Sequence, residues 1–311
     1  MNRSDPARIP RVAIILLNWN SADDTLACLD SLAGITWPAV RIIVVDNASA
    51  DDSVSRIRAR FPAVTIIENS ENTGFSEGNN TGIRFALAED DDLILLLNND
   101  TVVAPDFLEP LVEALLGDPR AGIAGPLIYY HDEPDLIWYA GGRVRRFQGR
   151  GQHPRHRELW TGGREARETG YVTGCAMLIR AGILREAGLL EPAFFYSYED
   201  LDYALRVRRY GYRLLFVPRS VIWHRVSASL GGLISPVFLY YQTRNRLLFM
   251  KRQLHWYEWP TALGHYLLSF VVQRFLVFLI RRRERAAWRA VIRGIGDFLR
   301  GRFGPCDPER L

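Results

Sequence analysis

The sequence predicts an α/β protein: a doubly wound sheet over its first two thirds and a helical region at its C-terminal end. Strand-like and helix-like stretches alternate from residue 11 to residue 105, the order that a doubly wound sheet requires. The strand-like runs are short and continuously apolar, as expected where both faces of a strand are buried. Beyond about residue 232 the text turns aromatic, apolar and arginine-rich. These observations divide the chain into an α/β domain at 1–231 and an amphipathic helical region at 232–311.

Residues 12–17 read as the first strand and 21–33 as a helix, with Ser21 at the N-cap and apolar spacing at Leu26, Leu29 and Leu32. A second strand at 41–45, a short helix at 53–61 and a third strand at 64–67 follow. A helix at 78–88 and a strand at 93–97 complete the alternation. Polar clusters follow three of these strands at once: Asn18-Trp-Asn20, Asp46-Asn-Ala-Ser49 and Asn98-Asn-Asp100. Turn chemistry uses the same residue types, but neighbouring parallel strands bring their ends to one edge, where ligands bind in such sheets. A shared pocket is therefore expected there.

The second half of the domain resumes near Gly170. Residues 174–179 are apolar, 203–210 read as a helix closed by Gly211, and 214–217 and 222–224 read as two strands. Asp202 and Arg206, four apart on that helix, are expected to pair. Between the halves, residues 143–167 hold eight arginines and two histidines against two acids, with four interspersed glycines. Two readings stay open for this stretch: a solvated mobile loop, or a lid attracting phosphate or an anionic acceptor.

In the tail, residues 261–280 are long enough to span a bilayer, yet they carry His265, Ser269, Gln273 and Arg274 near every fourth residue. One polar stripe on an otherwise apolar helix favours a helix lying in the membrane interface. Trp256, Tyr257 and Trp259 suit the headgroup level, and the arginines at 281–283 suit an anionic membrane surface. The competing reading packs that stripe on the catalytic core, or on a second subunit as a homodimer.

Composition narrows the chemistry. The chain has 311 residues and a net charge of +4, and Lys251 is its only lysine. That disfavours mechanisms needing a lysine in a set motif, such as a P-loop, a kinase or a Schiff-base enzyme. Cys28, Cys175 and Cys306 are too few and too scattered for a disulfide framework or a CxxC metal site, so a reducing, cytoplasmic setting is expected. No signal-peptide pattern is visible, since the first apolar run is six residues long behind a polar leader. A strand-end pocket of acids and amides suits a nucleotide held by hydrogen bonds and a divalent cation (Mg²⁺ or Mn²⁺), with Asp100 as the natural carboxylate.

Several motifs in order carry a more specific message: Leu17-Asn-Trp-Asn20, Val44-Val-Asp-Asn-Ala-Ser49, Asn72-Thr-Gly-Phe-Ser-Glu-Gly-Asn-Asn80, Leu96-Leu-Asn-Asn-Asp100, Gly174-Cys-Ala-Met-Leu-Ile-Arg180, and Tyr198-Glu-Asp-Leu-Asp202 with Arg206 and His224. In these the chain resembles the family 2 glycosyltransferases, inverting enzymes of the GT-A fold. It is most similar to the bacterial branch that includes rhamnosyltransferases of cell-surface polysaccharide synthesis. The resemblance runs from residue 12 to about 229. It implies a nucleotide-diphospho-sugar donor (dTDP-, UDP- or GDP-linked) and a saccharide or lipid-linked saccharide acceptor, at the inner face of the plasma membrane. It also implies that Asn18, Asn20, Asp46 and Asn47 hold the nucleotide, and that Asn72, Gly74 and Asn79 line the donor side. Asn98-Asn99-Asp100 stands at the family's Asp-x-Asp metal motif. The first position departs from it, leaving Asp100 as the carboxylate, Asn98 to hydrogen-bond ribose, Asn79 or Asn99 to assist, and His224 as a second metal ligand. The resemblance makes Asp200 the general base, with Glu199 beside it directed toward acceptor hydroxyls and Asp202 structural.

Other classes fit less well. A dinucleotide-dependent oxidoreductase needs a G-x-G-x-x-G turn after the first strand, where this chain has Asn18-Trp-Asn-Ser-Ala-Asp23. A nucleotidyltransferase would carry a glycine-rich basic N-terminal loop, also missing. The basic stretches lack the interleaved stacking aromatics of a nucleic-acid binder. A catalytically degenerate domain, acting as nucleotide-sugar binder or scaffold, has the Asn98 departure as its support.

Overall fold

The computed structural model describes residues 8–226, 235–276 and 285–307. The boundary expected at 231/232 and the arginines at 281–283 lie outside the described residues. Strands β1 (Val12–Asn18), β2 (Val40–Asp46), β3 (Thr65–Glu68) and β4 (Leu93–Asn98) run parallel, in the order β3-β2-β1-β4. Helices α1 (Ala22–Leu32), α2 (Ser53–Arg60) and α3 (Gly74–Ala88) connect them. Residues 12–16 of β1 are wholly buried, which is why that run contains no polar residue.

The chain continues through β5 (Thr101–Val103), α4 (Leu108–Gly117), β6 (Ala121–Tyr130) and β7 (Ile137–Tyr139), then a hairpin of β8 (Arg143–Arg145) and β9 (Arg150–Gln152). Next come β10 (Arg167–Glu168), β11 (Ala176–Arg180), α5 (Ala181–Ala187), α6 (Glu199–Arg209) and β12 (Arg213–His224). The completed sheet has the order β10-β12-β6-β11-β4-β1-β2-β3, with β5 paired to β12 and β7 to β6. It is mixed: β11 runs antiparallel to both β4 and β6, while β12 is parallel to β6. The carboxyl ends of β1, β2, β4, β6 and β12 therefore share one edge, and β11 enters the sheet from it.

Helices α7 (Pro236–Gln253), α8 (Trp259–Tyr266) and α9 (Arg285–Leu299) follow. They are no loose appendage: Leu248, Phe249 and Met250 of α7 and Ala262 of α8 are buried in the same apolar core as the sheet.

Several elements differ from the sequence expectation. Helix α3 starts at Gly74, not at residue 78, because the Asn72 side chain accepts the Gly74 N–H (2.9 Å) and organises the turn. The two strands expected at 214–217 and 222–224 are one, β12, broken in register between Val217 and Val221 around Pro218. Helix α6 starts at Glu199, with three acids in its first turn and three arginines in its last, both favourable to the helix dipole. Ser21 occupies the N-cap position, but its hydroxyl donates to the Asp24 carboxylate (2.9 Å) and not to a backbone partner. In the basic stretch at 143–167, residues 143–152 form the β8–β9 hairpin and Arg167 opens β10, while residues 153–166 belong to no named strand or helix. Helix α8 widens into a π-helical turn over Leu267–Val272, and residues 277–280 of the expected helix lie outside the described residues.

Candidate active site

At the carboxyl edge, the register Asn18↔Asp46 sets two strand ends side by side. Asn18 is fully buried and donates to Asp46 (2.7 Å) and Ser49 (3.1 Å), while its oxygen accepts from Thr25 (2.7 Å). Asp46 in turn accepts the Ser49 backbone N–H (2.9 Å) and hydroxyl (2.7 Å). Asn20, in a left-handed conformation (φ 49°), accepts the Ala50 N–H (2.7 Å) and so shapes the rim of this loop.

The other donor-side residues belong to the scaffold more than to the open cleft. Asn47 accepts from Asn69 and Thr73 and donates to Asn72 (2.9 Å) and the Gly74 carbonyl (3.2 Å). Asn79 is buried and donates one turn back to Phe75 (2.8 Å). Gly74 sits at φ +79°, where an added Cβ would lie 2.5 Å from Phe195, so its small size serves packing against the loop before α6. Asn99 donates to Thr25 (2.8 Å).

Strand pairing also brings Asp100 and His224 together. Thr101 at the start of β5 lies opposite His224 at the end of β12, so the preceding residue, Asp100, is brought to the histidine. Asp100 Oδ1 stands 3.0 Å from His224 Nε2, and both residues are nearly inaccessible. Burial alone would lower the His224 pKa. The adjoining Cys175 and the Asp100 carboxylate override it and raise the imidazole to about 10. The tryptophan against this imidazole is Trp138 of β7, with ring centroids 4.5 Å apart, not the adjacent Trp223.

Glu199 and Asp200 open α6, and their neighbourhoods separate them. Asp200 accepts the Gly174 N–H (3.2 Å) and the Leu201 N–H (2.7 Å). Burial raises its pKa, and these N–H groups oppose the rise. Glu199 is buried, and its Oε2 has no hydrogen-bond partner. Burial, reinforced by the Asp200 charge, pushes its pKa well above the usual range. The backbone N–H groups favour the charged form of Asp200, whereas the unpartnered Oε2 of Glu199 leaves its burial less compensated. Asp202 is fully buried; it accepts from Arg252 (2.9 Å) and Gln253 (2.5 Å) and faces Arg206 at 3.5 Å.

The loop before α6 is strained: Phe195, Ser197 and Tyr198 have φ of 59°, 67° and 76°. It is held by two residues that motif reading missed. Asn245 of α7 donates to the carbonyls of Phe194 (2.6 Å), Tyr196 (2.6 Å) and Ser197 (3.1 Å). Arg244, fully buried, donates to Ala193 and Phe194 (both 3.3 Å) and Gly304 (2.8 Å). The available signal was the polar run at 242–246 inside an aromatic, apolar segment.

Of the expected site residues, Asn98, Glu199, Asp200 and His224 line one cleft of about 620 Å³, together with Cys175. Asn18, Asn20, Asp46, Asn47, Asn72, Gly74, Asn79 and Asn99 lie outside its lining, and Asp100 is joined to it only through His224. Trp138, Arg150, Gln152, His156 and Tyr171 face it from the hairpin side. A second cavity, of about 480 Å³, lies near the opposite ends of the strands around Arg11, Arg41 and Asp91, away from these acids.

The family model for glycosyl transferase family 2 matches residues 13–188. The chain belongs to that family. It is 27% identical over 224 residues to the N-acetylglucosaminyl-diphospho-decaprenol L-rhamnosyltransferase of Mycobacterium tuberculosis, covering 65% of this chain and 72% of the relative. It is 22% identical to the dTDP-rhamnosyl transferase RfbF of Shigella flexneri, over 68% of this chain and 71% of that one. Among solved structures, the mannosyltransferase PcManGT of Pyrobaculum calidifontis with GDP-Man and Mn²⁺ aligns at a TM-score of 0.58 and 19% identity, over 95% of this chain and 88% of that one. S. aureus TarS (residues 1–349) aligns at 0.57 and 14% identity, over 93% and 80%. The fold is GT-A, and the glycosyltransferase is a mixed-sheet enzyme as the sequence implies.

Proposed function

We propose that this glycosyltransferase is inverting and metal-dependent, and moves a sugar from a nucleotide-diphospho-sugar to a hydroxyl of a lipid-linked saccharide in cell-surface polysaccharide synthesis. L-Rhamnose is the favoured sugar and dTDP the favoured carrier, since relatives of this chain bear those names. The observation that carries the reading is the adjacent carboxyl pair Glu199–Asp200 lining the same cleft as His224, which holds Asp100 at 3.0 Å. A single ionised base on the acceptor side suits direct displacement at the anomeric carbon.

Asp200, its free lone pairs directed by the Gly174 and Leu201 N–H groups, takes the proton of the attacking hydroxyl. Glu199 keeps its own proton and can donate to a neighbouring acceptor hydroxyl. Asp100 is one oxygen donor, and His224 becomes one nitrogen donor when a cation takes the place of the proton between its Nε2 and Asp100. Among the described residues no group of three His, Cys, Asp or Glu side chains could hold a metal ion. Two protein donors fit a Mg²⁺ or Mn²⁺ that takes its remaining ligands from a diphosphate and water. When bound, such a cation supplies positive charge at the leaving diphosphate.

Association with the membrane surface is supported by the face that α8 and its continuation leave exposed. Leu263, Leu267, Leu268, Val272 and Leu276 lie outward, near Trp256, which is 84% exposed, and Tyr257. The polar stripe has the other orientation at its start: His265 turns inward and accepts from Arg246 (3.0 Å). Among the described residues no helix is long and apolar enough to cross a bilayer.

A thermal-shift panel of dTDP, UDP and GDP with and without Mn²⁺ tests the donor site without any acceptor, because a ligand of the native state raises the melting temperature. A shift for one nucleotide that requires Mn²⁺ is expected. No shift with any of them would favour a degenerate domain, with Asn98 as the residue to explain.

A further inference from the structure

The basic hairpin contains a cation that the donor site does not use. Arg150 of β9 faces the cleft, and its hydrogen bond goes to the Gln148 side chain (3.0 Å), a neutral partner. Behind it stands Arg246 of α7, only 3% exposed. Arg246 donates to the carbonyls of Gln148 (2.6 Å) and Gly149 (3.2 Å) and to His265 (3.0 Å), and its guanidinium stacks on Tyr266 and Phe270. Among the described residues no carboxylate forms an ion pair with Arg150 or Arg246, whereas the neighbouring Arg146 is paired to Glu258 (2.5 Å). Burying a guanidinium without a counter-charge is costly, and two side by side repel each other. Such a pair, open on one side to a cleft, is a standing attraction for a multiply charged anion.

Its surroundings select the kind of anion. On one side, the cleft leads to Asp200 between Trp138, Tyr171 and Gln152, rings and an amide suited to a sugar. On the other side, Tyr266 and Phe270 cover Arg246, and the exposed Leu263, Leu267 and Leu268 belong to the same helical segment. The donor's diphosphate has its own place at Asp100 and His224. We propose that Arg150, with Arg246 behind it, seats the diphosphate of an acceptor in which that group joins a saccharide to a long isoprenoid chain. The saccharide then reaches Asp200 while the chain lies along the leucine face of α8. This inference rests on the glycosyl-transfer reading and adds to it the recognition of the acceptor.

Calorimetric titration in EDTA, with farnesyl diphosphate below its micellar concentration as probe, tests the site without metal or turnover. Saturable binding to the wild type is expected. Arg150→Gln should weaken it about tenfold or more, the loss of a charge-assisted contact. Arg150→Lys should restore most of it, and inorganic diphosphate should bind about tenfold more weakly than the prenyl compound, for want of the apolar contact. Arg150 is partly exposed, so unchanged melting of Arg150→Gln is the folding control. No binding to the wild type, or equal affinity in Arg150→Gln, overturns the proposal. Equal affinity for inorganic diphosphate overturns the lipid part and leaves a free-anion site. Nucleotide thermal shifts on the same preparation read the donor site separately, so loss of those with farnesyl diphosphate binding intact tells against the glycosyl-transfer reading alone.

Discussion

Asn245 offers the sharpest test of how the proposed catalytic acids are positioned. Its amide nitrogen serves three carbonyls of the loop that presents Glu199 and Asp200, at 2.6, 2.6 and 3.1 Å. That loop contains three non-glycine residues at positive φ, conformations that cost on the order of 1–3 kcal/mol each and persist only when over-determined. Asn245→Ala removes the donors and leaves buried carbonyls without partners, at about 1–3 kcal/mol for an unsatisfied group. Neighbouring bonds from Arg244 to Phe194 and Ala193 remain, so the fold should survive with a net loss of about 2–4 kcal/mol. The strained turn should then relax, and a displacement of about 1 Å at Asp200 is worth about 10²-fold in rate. The expected result is a kcat lowered by about that factor, with nucleotide affinity unchanged, because Asn18, Asp46 and Asp100 hang on different strands. Urea denaturation gives the stability, calorimetry the nucleotide affinity, and sugar transfer the rate. Asn245→Asp, which keeps the size but loses the donors, should behave like the alanine variant. A stable Asn245→Ala protein with wild-type kcat would refute the view that this amide holds the active loop.

Four further outcomes are expected. Asp200→Asn should lower turnover by about 10²–10⁴-fold, the span of a general base, while Mn²⁺-dependent nucleotide binding persists; equal loss of both would make Asp200 structural. Glu199 has a folded pKa raised by burial, so its stabilising contribution is full below the unfolded carboxyl pKa and is lost as pH rises toward the folded value. Glu199→Gln should therefore gain in melting temperature relative to wild type between acid and mildly alkaline pH, and a constant difference across that range would contradict the buried-proton assignment. Asp100→Asn should remove the metal-dependent part of the nucleotide thermal shift and, by leaving the buried His224 without its carboxylate, lower the stability of the apo protein by about 3–5 kcal/mol; a retained metal-dependent shift would place the cation elsewhere. Leu268, 71% exposed on the outer face of the tail, should govern sedimentation with anionic vesicles: Leu268→Glu should reduce it several-fold, in line with the cost of burying a charge, and no reduction would remove that face from the membrane contact.

The parallel half of the fold was readable because its strands are uninterrupted apolar runs with polar residues at one end. A strand such as residues 12–16, buried on both faces, has no alternative assignment. The meeting of Asp100 with His224 is not visible in that way. It depends on a β5–β12 register between residues more than a hundred positions apart, and only the family resemblance pointed to it. The unequal hydrogen-bond support of Glu199 and Asp200 was equally hidden, because one N–H that favours a charged Asp200 comes from Gly174, on another element. Residues 214–224 were split in two because Pro218 and Arg219 interrupt the apolar text, whereas the sheet absorbs them as a register break. Asn245 and Arg244 were overlooked because α7 shows no polar–apolar periodicity: it is buried on most sides, including its charged centre.

The anchoring of the hairpin sets how this enzyme can be recombined. Arg146 grips Glu258 and the Gln253 carbonyl, and an added Cβ at Gly149 would lie 2.6 Å from Met250, so β8–β9 is fitted to α7 and the start of α8 along its length. Segments 143–152 and 236–266 are thus one inheritable cassette although 83 residues separate them. A chimera that takes the C-terminal helices from a relative but keeps the native hairpin breaks both the Arg146 clasp and the Met250 contact. Exchanging the two segments together leaves the half from β1 to Asp100 untouched and transplants only the hairpin wall of the cleft.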